Sequence, residues 1–250
     1  MKILLFLLLG LISPKTENVF NRFKAPEGYR RVKTESGTFA DYLQNLPLKP
    51  AGTHTLTYQG KIAATDAYTA AVVDISIGKR DLQQCADAVM RLRGEYLYHT
   101  QNYSAISFNF VSGFKCQFEL YARGYRYQNN RWTLTGKQDN GYQSFLNYMD
   151  LVFTYAGTLS LEKELKKVNS ATDLKIGDIF IHGGSPGHCF IIVDMAENAD
   201  HKKIFMLAQS YMPAQNIQIL QGSGSPWFSL DKPAGIPYGE LIDMKYLRRF

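Results

Sequence analysis

The amino-acid sequence predicts an α+β fold from three observations. One early segment repeats apolar residues at helical spacing, a middle stretch carries further helices, and the last third runs through apolar, β-branched strands separated by Gly and Pro. The expected arrangement is a single domain over residues 20–250, with an N-terminal helix, a helical insert and a C-terminal antiparallel sheet. Of the 250 residues, 45% are hydrophobic and 20% charged, a balance that argues against a disordered chain and supplies one sizeable core.

The elements follow in order. Met1-Lys2 and the apolar run ILLFLLLGLI (3–12) have the pattern of a secretory signal peptide, with residues 1–13 removed. The run is shorter than the roughly 20 residues that span a bilayer. No cysteine follows it to carry a lipid, so the expectation is an exported protein, periplasmic or extracellular, with no stable transmembrane anchor. Thr38 caps a short helix over 39–46, stopped by Pro47 and Pro50. HTLTYQGKIAA reads as a hairpin turning at Gln59-Gly60, and TAAVVDISIG (69–78) as a strand closed by Gly78.

RDLQQCADAVMRLRGEYLYHT is the most secure helix. Asp81 is placed to cap it, with Gln84 three residues on as in a capping box. Leu82, Cys85, Val89, Leu92 and Tyr96 form an apolar stripe, while Gln83, Asp87, Arg91 and Glu95 face the other way. A strand over 105–110, a turn at Ser112-Gly113, a short helix ending near Gly124 and the strand fragment NRWTLTG come next. Helices over 142–157, with Gly157 as C-cap, and 159–168 precede the strands GDIFI and CFIIVDM. Two more strands in 203–220 are broken at Met212-Pro213.

The net charge is +6, without a dense Lys/Arg cluster; KELKK (163–167) reads as a solvated helix face. This suits an anionic setting such as cell wall, while the lack of zinc-finger spacing or a single-strand-binding signature argues against nucleic acid. The three cysteines, Cys85, Cys116 and Cys189, leave at least one thiol unpaired in an exported chain.

The chemistry centres on His188. The loop HGGSPG turns sharply, and His188 then opens the strand HCFIIVDM, which gives the imidazole a fixed direction. The alternative is a turn histidine with no chemical task. Chain order adds to the first reading. Papain-type cysteine hydrolases place a cysteine near a helix start, a histidine at the start of a later strand, and a polar residue on the next strand that holds the Nδ1 proton. Cys85, His188 and Gln209 follow that order. Cys85 has two readings. Its apolar stripe fits core packing, whereas Lys79 and Arg80 just ahead of the helix, with the helix N-terminus itself, favour a thiolate. Cys116 is the alternative nucleophile, and Cys189 points to the opposite face from His188, into the core. Asp178 is expected to tie down a turn. Asp194, six residues from His188, falls on the His188 face by period-two counting. His182 and His188 lack a third spaced ligand, a weak zinc pattern. Trp132 and Trp227 are core lids or sugar-stacking rings.

The segment IGDIFI…GHCFIIVDM resembles the strand–loop–strand element of NlpC-type cell-wall peptidases and CHAP-type amidases. That resemblance implies a papain-like core with His188 as catalytic base. The cysteine side departs from those families' Asp-Cys-Ser pattern, since RDLQQCADAV sets the thiol a turn into the helix. Across most of the mature chain, DLQQCADAVMRLRGEYLY, MDLVFTYAGTLSLEKEL, IGDIFIHGGSPGH and FMLAQSYMPAQNIQIL resemble the exported bacterial family named domain of unknown function 4846, which implies an envelope or secreted setting and brings no activity.

The residues and resemblances together lead to one expectation: a cysteine hydrolase acting on an amide bond, with cell-wall peptides as the candidate substrate, through Cys85, His188 and Gln209. The chemistry requires neither metal nor organic cofactor. The alternative is a non-catalytic envelope protein of the same fold that holds wall or glycan fragments in its cleft.

Overall fold

A computed structural model describes residues 17–250; the segment read as a signal peptide, 1–13, lies outside the described residues. The helices are α1 (Val19–Arg22), α2 (Phe39–Gln44), α3 (Cys85–His99), α4 (Phe118–Ala122), α5 (Tyr142–Tyr155) and α6 (Thr158–Glu164). The strands are β1 (Tyr29–Arg31), β2 (Thr69–Val72), β3 (Ser107–Asn109), β4 (Lys115–Gln117), β5 (Tyr125–Gln128), β6 (Arg131–Leu134), β7 (Lys166–Lys167), β8 (Ile179–His182), β9 (His188–Asn198), β10 (Lys203–Gln209), β11 (Gln218–Leu220) and β12 (Leu247–Arg249). The expected α+β composition is present, with a large antiparallel sheet in the order β2-β11-β10-β9-β8-β12-β7. Two small hairpins, β3–β4 and β5–β6, lie in the middle of the chain among the helices. Among the described residues no helix is long and apolar enough to cross a membrane.

The eleven-residue β9 organises the sheet. Its first part pairs with β8, from His182↔His188 to Ile179↔Ile191, and its last three residues pair with β1. Its other edge pairs with β10, where Met206 faces Asp194 but Leu207 faces Ile192. That shift inserts one extra β9 residue and breaks the alternation of side chains. Asp194 is therefore out of phase with His188, which corrects the period-two expectation. Its Oδ1 accepts from Gln44 Nε2 at 2.6 Å and its Oδ2 pairs with Arg31 Nη2 at 2.9 Å, so it ties α2 and β1 to the central strand. Asp178 has the expected tie-down role. It accepts from Lys175 N–H at 2.8 Å and takes two bonds from the Arg249 guanidinium, anchoring β12 beside β8.

α3 packs against β9 and β10 and touches α2, α5 and α6, so it is enclosed on all sides. The polar residues expected on its far side are buried too: Gln83 1%, Asp87 7%, Arg91 5% and Glu95 2% exposed. Gln83, Arg91 and Glu95 bond to one another, while Asp87 accepts from the Gln84 N–H. Arg91 Nε donates to Glu95 Oε1 at 2.7 Å, Arg91 Nη1 to Gln83 Oε1 at 3.1 Å, and Tyr142 OH to Glu95 Oε1 at 2.8 Å. At Gly94 an added Cβ would lie 3.1 Å from Met149 Sδ and 3.2 Å from a Phe145 ring carbon, so the missing side chain lets α5 come close.

Several boundaries differ from expectation. α3 begins at Cys85 rather than near Leu82, and Asp81 does not cap it. The Gln84 N–H donates to Asp87 Oδ2 at 3.0 Å instead, while Asp81 Oδ1 accepts from Gln84 Nε2 at 3.0 Å and from the Ala214 N–H at 2.6 Å. Gly157 opens α6 rather than closing α5. The helix expected over 159–168 stops at Glu164, because Lys166 and Lys167 pair with β12 as an edge strand. The hairpin at Gln59-Gly60 is reduced to one bridge, Leu56↔Ile62.

Arg91→Met would leave the Glu95 carboxylate buried without its ion partner. We expect a loss of about 3–5 kcal/mol in unfolding free energy, measured by urea denaturation. Replacing Arg91 and Glu95 together with apolar residues of similar volume should cost less, because no stranded charge remains.

Candidate functional site

The three residues singled out by chain order each sit at the end of an element. Cys85 is the first residue of α3, His188 the first of β9 and Gln209 the last of β10. Two hydrogen bonds hold the approach to α3 against the chain leaving β10. Ser210 Oγ lies 3.0 Å from the Gln83 carbonyl and 2.9 Å from the Gln215 carbonyl and shares its one proton between them, and Ala214 N–H donates to Asp81 Oδ1. The residue next to Gln209 is thus fixed to the residue two before Cys85.

His188 is 1% exposed and Gln209 6%. Their side chains meet, with His188 Nε2 and Gln209 Oε1 2.7 Å apart. An amide oxygen accepts, so Nε2 carries the proton and the tautomer leaves Nδ1 with a free lone pair. The orienting contact is therefore to Nε2, not to Nδ1 as the sequence reading supposed. Nδ1 is buried and has no hydrogen-bond partner. Phe190, Tyr211 and Tyr238 enclose the ring at centroid distances of 4.7, 5.6 and 4.9 Å. Burial pulls His188 down to about 4, against the smaller raising effects of Gln209 and Glu240. The imidazole is neutral at neutral pH.

Cys85 lines a cleft of about 320 Å³ whose walls include Asp87, Gly157, Thr158, the loop residues 184–187, Met212 and Tyr238. That loop leads directly into His188 and Tyr238 lies against the His188 ring, but His188 itself does not line the cleft and its Nδ1 makes no hydrogen bond to the Cys85 thiol. The thiol is 6% exposed. Burial pushes its pKa up to about 12; its backbone hydrogen bond lowers it, and the Asp87 charge adds to the rise. The resting pair is thus a neutral thiol and a neutral imidazole. Position at the first turn of α3 works toward the thiolate, because the unpaired amides there stabilise negative charge. The sequence reading set the thiol a turn further in; the later start of α3 brings it to the helix end.

The other candidates have different settings. Cys116 is fully buried in β4, with the Tyr148 hydroxyl donating to its carbonyl at 2.8 Å, and burial raises its thiol well out of reach of ionisation. Cys189 is fully buried in the core. All three cysteines are free. The His182 ring packs edge-on against Tyr246 at 5.5 Å, and among the described residues no group of three His, Cys, Asp or Glu is arranged to hold a metal. Trp132 packs on Phe114 at 5.3 Å, and Trp227 Nε1 donates to the Lys24 carbonyl at 3.0 Å. Asp87 and the tyrosine pair Tyr211–Tyr238 were not found from the sequence. Asp87 reads there as one more residue of a polar helix face, and nothing in its spacing to Cys85 marks it.

The chain belongs to the family described as "Domain of unknown function (4846)", whose model matches residues 19–241. No curated protein and no solved structure matches it.

A histidine held at about 4 when folded, against an ordinary value of 6.5, binds fewer protons than the unfolded chain between those values. Stability should therefore fall as the pH drops from about 6.5 toward 4, by about 3 kcal/mol for this group at ~1.4 kcal/mol per unit. Unfolding free energies across that window should show a shallower acid limb in His188→Asn than in the wild type. An unchanged slope would show that His188 titrates normally.

Proposed function

We propose that this protein is an exported cysteine hydrolase with a papain-like core, acting on an amide bond, with Cys85 as nucleophile, His188 as base and Gln209 as the residue that orients the imidazole. The observation that carries the reading is the Gln209–His188 bond at 2.7 Å. It commits Nε2 as a donor and leaves Nδ1 neutral, buried and unpartnered, on the residue that follows the Gly184–Gly187 wall of the cleft Cys85 lines. A turn histidine with no task needs neither the orienting amide nor the enclosure by three aromatic rings.

In the proposed reaction the Cys85 sulfur bonds to the substrate carbonyl carbon as its proton passes to His188 Nδ1. The carbonyl π pair moves onto oxygen. The tetrahedral adduct collapses, the C–N bond breaks, and the departing amine takes the proton from the imidazolium. Water then attacks the thioester with His188 as base, giving a carboxylic acid and the free thiol. Both partners rest neutral because burial disfavours each charge alone; a thiolate–imidazolium pair, formed together on substrate binding, offsets part of that cost. The mildly basic chain and the resemblance to cell-wall peptidases favour envelope peptides, peptidoglycan stems among them, as substrate. The same resemblance and the apolar run at 3–12 favour export.

A second reading, a binding protein of the same fold, has one observation behind it: the thiol is pushed up to about 12, as for a packing cysteine.

Labelling separates the two. Iodoacetamide should modify Cys85 in the folded protein faster than Cys116 or Cys189, and His188→Ala should slow that reaction about 100-fold or more. Peptidoglycan stem peptides incubated with the wild type should gain new amino and carboxyl termini by mass spectrometry, and Cys85→Ala should abolish them. A Cys85 that reacts only after unfolding, with no cleavage, favours the binding protein. Native protein recovered from the envelope should begin after about residue 13; an intact Met1 contradicts export.

A further inference from the structure

We infer that Asp87 is a further catalytic residue of the proposed reaction, a neutral carboxylic acid whose Oδ1–H donates a hydrogen bond to the acyl oxygen of the substrate. The inference rests on the reading of Cys85 as nucleophile. Its grounds are geometric. Asp87 stands two residues after Cys85 in the first turn of α3 and lines the same cleft. It is 7% exposed. Its Oδ2 is committed as acceptor to the Gln84 N–H at 3.0 Å, while its Oδ1 is buried and has no partner. A protonated carboxyl with one oxygen engaged in this way carries its proton on the other. That proton has no acceptor in the protein, and Asp87 is among the residues that line the cleft.

The surroundings keep the acid neutral. Burial raises Asp87 to about 8, with the Gln84 backbone bond as the smaller opposing effect. Its charge, when present, raises the Cys85 thiol beside it and the Cys189 thiol on β9. Asp81, from the segment before α3, and Tyr238, from the C-terminal segment, share the cleft wall and bring no positive charge. Arg91, one turn along α3, is committed to Glu95 and Gln83. The ionised acid would thus oppose the thiolate, whereas the neutral acid leaves the thiolate undisturbed and offers a donor at the oxygen on which charge develops. Removing one such donor typically slows the chemical step about 10²–10³-fold.

Two small reagents isolate the effect. p-Nitrophenyl acetate acylates a thiol through a tetrahedral oxyanion and releases p-nitrophenolate. Iodoacetamide alkylates the same thiol by displacing iodide at a saturated carbon, with no oxyanion. In Asp87→Leu we expect the acylation of Cys85 to fall about 100-fold while alkylation stays within about threefold of the wild type. Asp87→Asn keeps an acceptor for the Gln84 N–H and an N–H donor toward the cleft, so it should restore most of the acylation rate. It should also abolish the fall in acylation that the wild type shows above about pH 8 as Asp87 ionises. Acylation of Asp87→Leu at the wild-type rate overturns the inference and leaves the nucleophile standing. An equal fall in both reactions also overturns it, assigning Asp87 to holding the helix start. A wild type whose Cys85 neither reagent modifies overturns the nucleophile and, with it, this inference.

Discussion

The site depends on how the chain enters α3. Ser210 and Ala214, which follow β10, donate to the Gln83 carbonyl and the Asp81 carboxylate. These bonds delay the helix until Cys85 and draw its first turn toward the end of the sheet where Gln209 finishes and His188 begins. Without them Asp81 would be free to cap, the helix would start a turn earlier, and the thiol would sit within the apolar stripe. The bond from Ser210 is short-range in space and long-range in sequence, so it forms only when β10 is in place. Placement of the start of α3 is thereby coupled to completion of the sheet core.

Enclosure of α3 sets the electrostatics. A helix buried on both sides must satisfy its polar residues internally, and the row Gln83, Asp87, Arg91, Glu95 divides in two. Arg91 and Glu95 pair with each other at 2.7 Å. Asp87 faces no cation and holds its proton. The same low-dielectric setting suppresses charge on Cys85 and His188, so the pair rests neutral and every ionisation at this end of the molecule depends on a partner arriving.

The element ends that carry His188 and Gln209 were legible because composition marks them, a glycine loop before one and a break at Met212-Pro213 after the other. The α+β class was legible for the same reason, since helical and strand periods separate cleanly along the chain. Three things were hidden. The extra residue in β9 is a property of pairing with β10, and alternation counted along β9 alone puts Asp194 on the wrong face. The start of α3 was misplaced because Asp81 is a good cap by type and is diverted by a residue more than a hundred positions away. The burial of the polar face of α3 was missed because spacing reports which residues share a face, not whether a second layer covers it.

The sheet ends on one side in Lys166 and Lys167, which pair with Arg248 and Arg249 of β12. Behind them lies β8, whose Ile179, Phe180 and Ile181 are wholly buried. An uncovered strand of that composition is a template for pairing with a second chain. Two very short strands shield it; Arg248 and Arg249 are paired with Glu162 and Asp178, and a neighbouring copy meeting this border would have to bring Lys166 and Lys167 against their own counterparts without water. The rim that fixes the C-terminal strand beside the glycine loop thus also keeps crowded molecules of this protein from joining edge to edge.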